Sequence, residues 1–414
     1  MEKNFSSYFT ISFFVLINLL SLLSFWLDFQ VGLLFSFVAF LFLFFNFKKF
    51  ILVLFSNSSL FFLIYITIQI LSVINYVLID YSRNVIFLHP TLLIQGIVYI
   101  IAPQLLFYYL GYTDNFKKSY FTDKKISQIT IVFLFVYIFG IYLHFVRPAY
   151  FVNFQEKVFL SDPNTGYLSF YPKLTIYWNS MIVGVLGVAL FWANMFAQNR
   201  KLGLRIFISI VFLFAIIFST QRGAWASLLI TTLVTFLFFT KVIDSIKYFF
   251  IILITILLIL FVLTKYNLDL SNPVFIDLLN RFDAFENAFD ERSNQYDNFL
   301  YIISKYPFGL GLGLLTHKAS DLNLTLTTPD GNYYRIFGEL GFIGFFSFLF
   351  LILKSLYFSF KKRFKLYFII LSVYCLQAFG TNVFDLYAAS FFFWYIIGQV
   401  NGTESNFKDR IIAI

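Results

Sequence analysis

Residues 248–264 read YFFIILITILLILFVLT, an uninterrupted apolar run with Lys247 before it and Lys265 after it. A run of this kind is typical of a helix that crosses a bilayer, for which about 20 apolar residues are needed. Hydrophobic residues make up 60% of the 414-residue chain and charged residues only 12%, about half of the ~25% of a soluble domain. The sequence therefore predicts an all-α polytopic membrane protein. It excludes a secreted domain, a cytosolic enzyme and a nucleic-acid-binding protein.

Further apolar runs of the same kind bring the expected number of transmembrane helices to about twelve. Several runs are shorter than the ideal length, which is tolerable where the ends of a span are buried in protein. The first run is expected to be an uncleaved helix, because only one lysine precedes it and no small-residue cleavage site follows. The runs cover residues 9–27, 31–45, 60–79, 92–112, 129–145, 174–197, 206–219, 226–240, 248–264, 340–356, 366–380 and 386–400.

The connections between these runs alternate in charge. With the N-terminus inside, the inner connections hold most of the 30 basic residues and the outer ones most of the 21 acidic residues. Basic residues concentrate on the cytoplasmic side of membrane proteins, so both termini are expected in the cytoplasm. The chain is then one polytopic domain, residues 1–414. Its two long outer loops are 146–173 and 265–339, the second with short helices between the ninth and tenth spans.

The connection at residues 218–225, FSTQRGAW, joins two spans with almost no loop. Arg222 is therefore expected at the outer membrane boundary, where an unpaired guanidinium is costly. One interpretation is a fixed site for a phosphate, whose oxygens match the guanidinium fork. The other is an arginine that extends to the lipid headgroups.

The large outer loop contains residues 290–313, DERSNQYDNFLYIISKYPFGLGLG. Arg292 leads a short amphipathic helix that ends at Pro307, and glycines follow at every second position from Gly309. The glycines lack the strand-turn-helix context of a dinucleotide fold. They predict a flexible turn or a backbone nest that faces an anion.

Residues 330–344, DGNYYRIFGELGFIG, lead from this loop straight into the tenth span. Arg335 and Glu339 are four residues apart, so a helical ion pair is one interpretation and an anion-binding arginine is the other. Arg147, at the outer end of the fifth span, is either an anion ligand or an interfacial anchor. The polar residues of the segment are Asp330, Asn332, Tyr333, Arg335 and Glu339.

Metal and thiol chemistry have little support in the sequence. Cys375 is the single cysteine and lies in an apolar run, so no intrachain disulfide is possible. The three histidines, His89, His144 and His317, are far apart and lack metal-ligand spacing. No metal site and no cofactor are predicted.

In this order, the three motifs resemble those of the Wzy-type O-antigen polymerase and O-antigen ligase superfamily of bacterial inner-membrane glycan enzymes. The resemblance rests on residues 221–224, QRGA, on residues 307–311, PFGLG, and on residues 331–341, GNYYRIFGELG. It extends from about residue 206 to residue 348. The N-terminal half is similar only in being polytopic.

The resemblance implies a membrane glycosyltransferase of lipopolysaccharide or other surface-polysaccharide biosynthesis, in the bacterial inner (plasma) membrane. A polymerase would transfer a glycan from undecaprenyl diphosphate to a sugar hydroxyl of another lipid-linked repeat unit, on the periplasmic face and without a metal. A ligase would transfer the finished chain to lipid A-core. The implied partners are the undecaprenyl-diphosphate-linked oligosaccharide and the bilayer. A chain-length regulator and a flippase of the same pathway are further candidate partners.

The residue types agree with this chemistry. Cations stabilise the charge that develops on a diphosphate leaving group, and a base assists the attacking hydroxyl; direct displacement with one base would invert the anomeric centre. Ligase-like members have a histidine where this chain has Asp330, a departure that favours the polymerase. The candidate diphosphate ligands are Arg222, Arg292, Arg147 and Arg335, the candidate bases are Asp330 and His317, and the candidate glycan contacts are Asn332, Tyr333 and Tyr296.

Two other classes of protein remain as alternatives. A lipid-linked oligosaccharide flippase or another transporter would have a similar number of spans and basic inner loops. Such a protein does not need a long outer loop, and its charged residues should line a central cavity at mid-membrane depth. Most charges in this chain lie at or beyond the span ends. A polymerase of peptidoglycan or another glycan would use the same architecture on a different substrate.

Overall fold

The computed structural model describes residues 31–83, 95–115, 123–146, 180–197, 200–239, 293–315, 331–362, 364–384 and 387–412. In these ranges every regular element is helical and none is a strand, which confirms the all-α prediction. A π-helical turn, Gln95–Ile101, precedes α4. The α-helices are α1 (Val31–Phe45), α2 (Phe47–Leu54), α3 (Leu60–Arg83), α4 (Ala102–Asn115), α5 (Asp123–Val146), α6 (Ser180–Phe196), α7 (Leu202–Phe218), α8 (Arg222–Phe238), α9 (Ser293–Lys305), α10 (Asn332–Lys361), α11 (Lys365–Gln377) and α12 (Tyr387–Ile412).

One described helix, α10, is both long and apolar enough to cross a membrane. The α1–α2 pair would be a second such element if its 91° bend lies within one span. The other apolar helices of the described ranges are shorter. The number of about twelve spans, the single domain and the loops at 146–173 and 265–339 remain predictions; the runs 9–27 and 248–264 lie outside the described residues.

Helices α5 to α8 belong to one compact unit. Helix α6 packs against α5, α7 and α8, and hydrogen bonds between helices add to this apolar packing. The Tyr137 hydroxyl donates to the Val183 carbonyl at 2.9 Å, and Trp192 Nε1 donates to Thr231 Oγ1 at 2.9 Å. Both bonds are buried. They attach α5 near the N-terminal end of α6 and α8 near its C-terminal end.

The other compact unit contains α1 to α4 and α9 to α12. Its centre is the close packing of α4 with α12, where a Cβ on Gly111 would lie 1.9 Å from the Tyr395 carbonyl oxygen. Only glycine permits that approach of two backbones. Helix α10 packs against α3, α9, α11 and α12, so it is the element through which most of this unit is connected.

Candidate functional site

A tight turn places Arg222 at the first position of α8. Helix α7 ends at Phe218 and α8 begins at Arg222, so almost no loop separates them. The Gln221 carbonyl accepts the backbone N–H groups of Ala224 and Trp225 at 3.0 and 3.2 Å. Because the N-terminus of a helix carries a partial positive charge, the half-buried Arg222 side chain adds a full charge where anions are already favoured.

Thr220, two residues before Arg222, has two unfavourable features. Its φ is 52°, in the left-handed region that β-branched residues rarely adopt, and such a conformation costs about 1–3 kcal/mol. The side chain is only 3% exposed, and Oγ1 has no hydrogen-bond partner among the described residues. Strained backbone and unpaired buried hydroxyls are concentrated at ligand sites, so this turn is the strongest candidate in its unit.

Contacts from α6 and α7 fix the conformation of this turn. A Cβ on Gly184 of α6 would lie 2.9 Å from the Cβ of Ala224, so the two helices touch here. Trp225 Nε1 and Ser219 Oγ both donate to the Ile216 carbonyl, at 3.0 and 2.7 Å. The turn is therefore rigid, as a site that positions a ligand requires.

Helix α10 is interrupted at Gly341, whose φ of 65° and ψ of −167° are not helical. The N–H of Phe342 donates to the Pro307 carbonyl, outside the helix, at 3.0 Å. A Cβ on Gly341 would lie 2.4 Å from the Pro307 oxygen. Glycine is thus required both by the backbone conformation and by the contact.

The glycine segment, residues 307–315, satisfies the carbonyl groups that this break exposes. Leu310 and Gly311 donate their N–H groups to the carbonyls of Gly338 and Glu339, at 2.9 and 3.0 Å. In membrane proteins a broken helix is tolerated where the freed backbone groups find other partners. Of the two predicted forms of this segment, a flexible turn or an anion nest, the structure shows a turn paired with α10.

The carboxylate of Glu339 joins the same two segments through its side chain. Oε1 accepts the Leu315 N–H at 3.0 Å, and Oε2 lies 3.6 Å from Arg335 Nε. The side chains of Glu339 and Arg335 are only 1% and 5% exposed. The helical ion pair expected from their spacing is confirmed, and it is a buried pair, which makes the loss of either partner costly.

Asn332, at the start of α10, is buried and bound to the α11–α12 connection. Its N–H donates to the Thr381 carbonyl at 3.3 Å, and its Oδ1 accepts the Phe384 N–H at 2.9 Å. These bonds fix the point at which the chain enters α10. The role of Asn332 in glycan binding remains a prediction.

The two tyrosines proposed as glycan contacts have different surroundings. Tyr333 donates its hydroxyl to the Cys375 carbonyl at 3.1 Å and packs its ring against Phe379, with centroids 4.7 Å apart. Tyr296, on α9, is half-buried and meets the ring of Tyr334 edge-on at 5.6 Å. Tyr333 is half-buried as well, so neither ring is fully enclosed by the protein.

Four predicted site residues lie outside the described ranges: the candidate bases Asp330 and His317 and the candidate diphosphate ligands Arg292 and Arg147. Their roles remain predictions, as does diphosphate binding by Arg222 and Arg335. Among the described residues, no group of three or more His, Cys, Asp or Glu side chains could hold a metal ion.

The turn at Arg222 and the helix break at Gly341 fall in one segment that matches a known family. Residues 206–349 match the family model described as O-antigen ligase. The matched segment is about a third of the chain. The expected resemblance to the Wzy-type polymerase and ligase superfamily is thereby confirmed. No curated protein and no solved structure matches the chain.

The match to the O-antigen ligase family indicates a function of the O-antigen ligase or polymerase type. This family implies a membrane protein similar to a glycosyltransferase. Such a protein acts on a lipid-linked glycan in lipopolysaccharide biosynthesis. The turn at Arg222 and the helix break at Gly341 both lie within the matched residues. These two elements are therefore the parts of the described structure in which the function is best sought.

Two features of the site were not anticipated from the sequence. Thr220 stands in the quoted arginine motif, but a threonine gives no signal that its φ is positive. Glu339 was expected to pair with Arg335, whereas its bond to Leu315 joins it to the glycine segment. The abundance of glycine on both sides, at Gly309 and Gly341, is the one sequence signal of that close approach.

Proposed function

We propose that this protein is a surface-polysaccharide polymerase of the O-antigen type. It transfers a glycan from undecaprenyl diphosphate to a sugar hydroxyl of another lipid-linked repeat unit, on the periplasmic face of the bacterial inner membrane. The observation that supports this most strongly is the Arg222 turn within the matched segment, residues 206–349. There a guanidinium and a helix N-terminus occur together with the buried hydroxyl of Thr220, for which the described part of the chain offers no hydrogen-bond partner.

The diphosphate is the group that this turn suits. Undecaprenyl diphosphate is already a good leaving group, so the enzyme gains most from stabilising negative charge on the bridging oxygen. Arg222 supplies a fork of donors, the N-terminus of α8 supplies its partial positive charge, and Thr220 supplies one hydroxyl donor. Arg292, Arg147 and Arg335 are proposed as further cationic contacts.

The proposed reaction is a direct displacement. The acceptor hydroxyl oxygen forms a bond to the anomeric carbon, the bond from that carbon to the diphosphate oxygen breaks, and undecaprenyl diphosphate leaves with the electron pair. The hydroxyl proton passes to a base, for which Asp330 or His317 is proposed. One displacement inverts the anomeric centre, and no step requires a metal. Tyr296, Tyr333 and Asn332 are proposed to contact the glycan.

The ligase is the second candidate, because the family model is described by that activity. The test is a gel profile of the surface polysaccharide in a deletion strain complemented with the wild-type gene or with Arg222→Ala. A polymerase predicts a single repeat unit on lipid A-core in the deletion strain. A ligase predicts loss of capping while long undecaprenyl-linked chains accumulate. An unchanged ladder in the deletion strain would contradict both and favour the transporter alternative.

The variant tests the diphosphate site within the same experiment. Arg222→Ala is expected to abolish chain extension while the protein remains in the membrane at the wild-type level, measured by immunoblot of membranes. Lys201→Ala, at an exposed position before α7, is the control and should extend chains normally. Full-length glycan in the Arg222→Ala strain would contradict diphosphate binding by this residue.

A further inference from the structure

A groove of about 420 Å³ opens between α3, the end of α9 and the outer part of α10. We call it the α3–α10 groove. Ile68 and Leu71 form one wall, Leu340 and Ile343 form the opposite wall, and residues 306–309 close one end. The volume lies within the range of about 300–1,000 Å³ that is typical of ligand pockets. Its walls are hydrophobic, so an aliphatic chain fits it better than a sugar does.

One end of the α3–α10 groove is positively charged. Lys305, the last residue of α9, is the one charged side chain among the described lining residues. Its Nζ donates to the Tyr301 hydroxyl at 2.7 Å and lies 5.1 and 5.6 Å from the ring centroids of Tyr301 and Tyr306. The acid on α9, Asp297, is two turns away, and the hydrogen bond to Tyr301 raises the pKa of Lys305. The Lys305 ammonium is therefore charged, and its contacts with Tyr301 and Tyr306 hold it at the mouth of a hydrophobic groove.

We propose that the α3–α10 groove binds one acyl chain of an anionic glycerophospholipid, with Lys305 on the phosphodiester of its headgroup. Charge and shape together select this occupant. A single ammonium balances the single negative charge of a phosphodiester, whereas a diphosphate needs several cations. Tyr301 and Tyr306 supply the amphipathic rings that are typical of the headgroup level. The exposed side chains around the groove, Leu71, Phe308 and Ile343, are apolar, as expected of a surface that faces lipid.

The bound lipid would touch the segment that holds the helix break. The groove is closed by residues 306–309, and the Pro307 carbonyl within them accepts the N–H of Phe342. Leu340 and Ile343 stand on either side of Gly341. An acyl chain in the groove therefore packs against both partners of this contact, and we expect it to stabilise the folded protein by mass action.

The test is native mass spectrometry of the purified, delipidated full chain titrated with palmitoyl-oleoyl phosphatidylglycerol or with phosphatidylethanolamine of the same chains. The first binding event should favour phosphatidylglycerol. Lys305→Gln should weaken that event about fivefold, because one lysine near a lipid surface is worth about a factor of five in affinity. Lys361→Gln, at the far end of α10 with its Nζ also over a tyrosine ring, is the matched control and should leave it unchanged.

A second pair of variants tests the groove itself. Ile343→Trp fills the groove and should remove the first binding event for both lipids. Phe350→Trp alters an equally exposed residue of the same helix outside the groove, and should retain the event. Because Lys305 is exposed, Lys305→Gln is expected to fold even if Ile343→Trp does not.

Three results would overturn the proposal. The first is equal binding of the two lipids. The second is an equal effect of Lys305→Gln and Lys361→Gln. The third is displacement of phosphatidylglycerol by undecaprenyl phosphate in competition, which would assign the groove to the isoprenoid donor. None of these results depends on glycan transfer, so the groove and the proposed function can fail separately.

Discussion

At the scale of single residues, Glu339 is the side chain whose removal should destabilise the folded protein most. Its carboxylate faces Arg335 and accepts the Leu315 N–H in a buried setting. Glu339→Ala leaves a buried guanidinium without its counter-charge, and breaking such a pair costs about 3–5 kcal/mol. We expect a lower melting temperature in detergent, measured by differential scanning fluorimetry.

Glu339→Gln separates the two functions of this carboxylate. The amide oxygen can still accept the Leu315 N–H, while the charge opposite Arg335 is lost. The melting temperature of Glu339→Gln should therefore lie between those of wild type and Glu339→Ala. Equal melting temperatures for all three proteins would show that the pair adds nothing to stability.

Thr220 offers a second test at this scale. Thr220→Val removes the unpartnered hydroxyl and keeps the side-chain shape, whereas Thr220→Ser keeps the hydroxyl. If Thr220 donates to the diphosphate, Thr220→Val should slow glycan transfer by about two- to tenfold, the effect of losing one neutral hydrogen bond worth about 0.5–1.5 kcal/mol. Thr220→Ser should retain most of the rate in a chain-extension assay with membranes. Equal rates for the two variants would exclude a role for the hydroxyl.

Residue-level prediction succeeded where a side chain's chemistry is local. The spacing of Arg335 and Glu339 within a helix was enough to predict their ion pair, since residues four apart are neighbours on a helix. The conformation of Thr220 was not predictable, because β-branched residues disfavour positive φ. Gly184 of α6 approaches the neighbouring residues Ser219, Gln221 and Ala224, and the sequence contains no local signal of this packing.

At the scale of elements, the interruption of α10 should depend on one glycine. Gly341→Ala puts a Cβ on a residue with positive φ and extended ψ, a region that is essentially restricted to glycine and costs about 1–3 kcal/mol, and brings it within 2.4 Å of the Pro307 oxygen. We expect a lower melting temperature and faster proteolysis of the glycine segment, followed by limited digestion.

Gly203→Ala is the matched control for this substitution. Gly203 lies in the first turn of α7, and a Cβ there would meet nothing within 4 Å. Alanine is favoured over glycine in a helix by about 0.5–1 kcal/mol, so this variant should be as stable as wild type or slightly more stable. If both variants behave alike, the break does not depend on the conformation of Gly341.

Hydropathy located several elements and missed the form of α10. The apolar runs at 31–45 and 206–219 coincide closely with α1 and α7. The run at 340–356 captures only the apolar part of α10, which begins at Asn332. Its first two turns contain Arg335 and Glu339, whose charges lower the hydropathy although both side chains are buried. A buried ion pair is invisible to a scale that scores each residue alone.

At the scale of the molecule, contacts within the unit of α1 to α4 and α9 to α12 support the predicted topology. Lys354 Nζ donates to the Ser58 carbonyl at 3.0 Å, and both residues are expected at inner span ends. Leu312 donates its N–H to Ser72 Oγ at 2.9 Å, and both are expected on the outer side. Each of these two contacts joins residues that the alternating spans predict on the same half of the membrane.

Cysteine labelling tests this topology directly. Cys375→Ala gives a cysteine-free background, and it retains the backbone carbonyl to which Tyr333 donates. In that background Ser304→Cys, exposed on α9, should react with an impermeant maleimide in intact spheroplasts. Lys48→Cys, exposed on α2, should react only after permeabilisation. The reverse pattern would invert the orientation, and labelling of both sites from outside would contradict the alternation of spans.

The interruption at Gly341 also determines how much of α10 is available to cross the hydrocarbon layer. From Phe342 to Lys361, α10 has about 20 residues, or ~30 Å of helix, which equals the thickness of the hydrocarbon layer. The inner segment alone can therefore traverse the lipid tails. In the predicted topology, the two turns before Gly341 then lie at the level of the headgroups. The charged pair Arg335 and Glu339 then lies outside the hydrocarbon layer. The helix is interrupted at the level below which charged side chains would have a high free-energy cost.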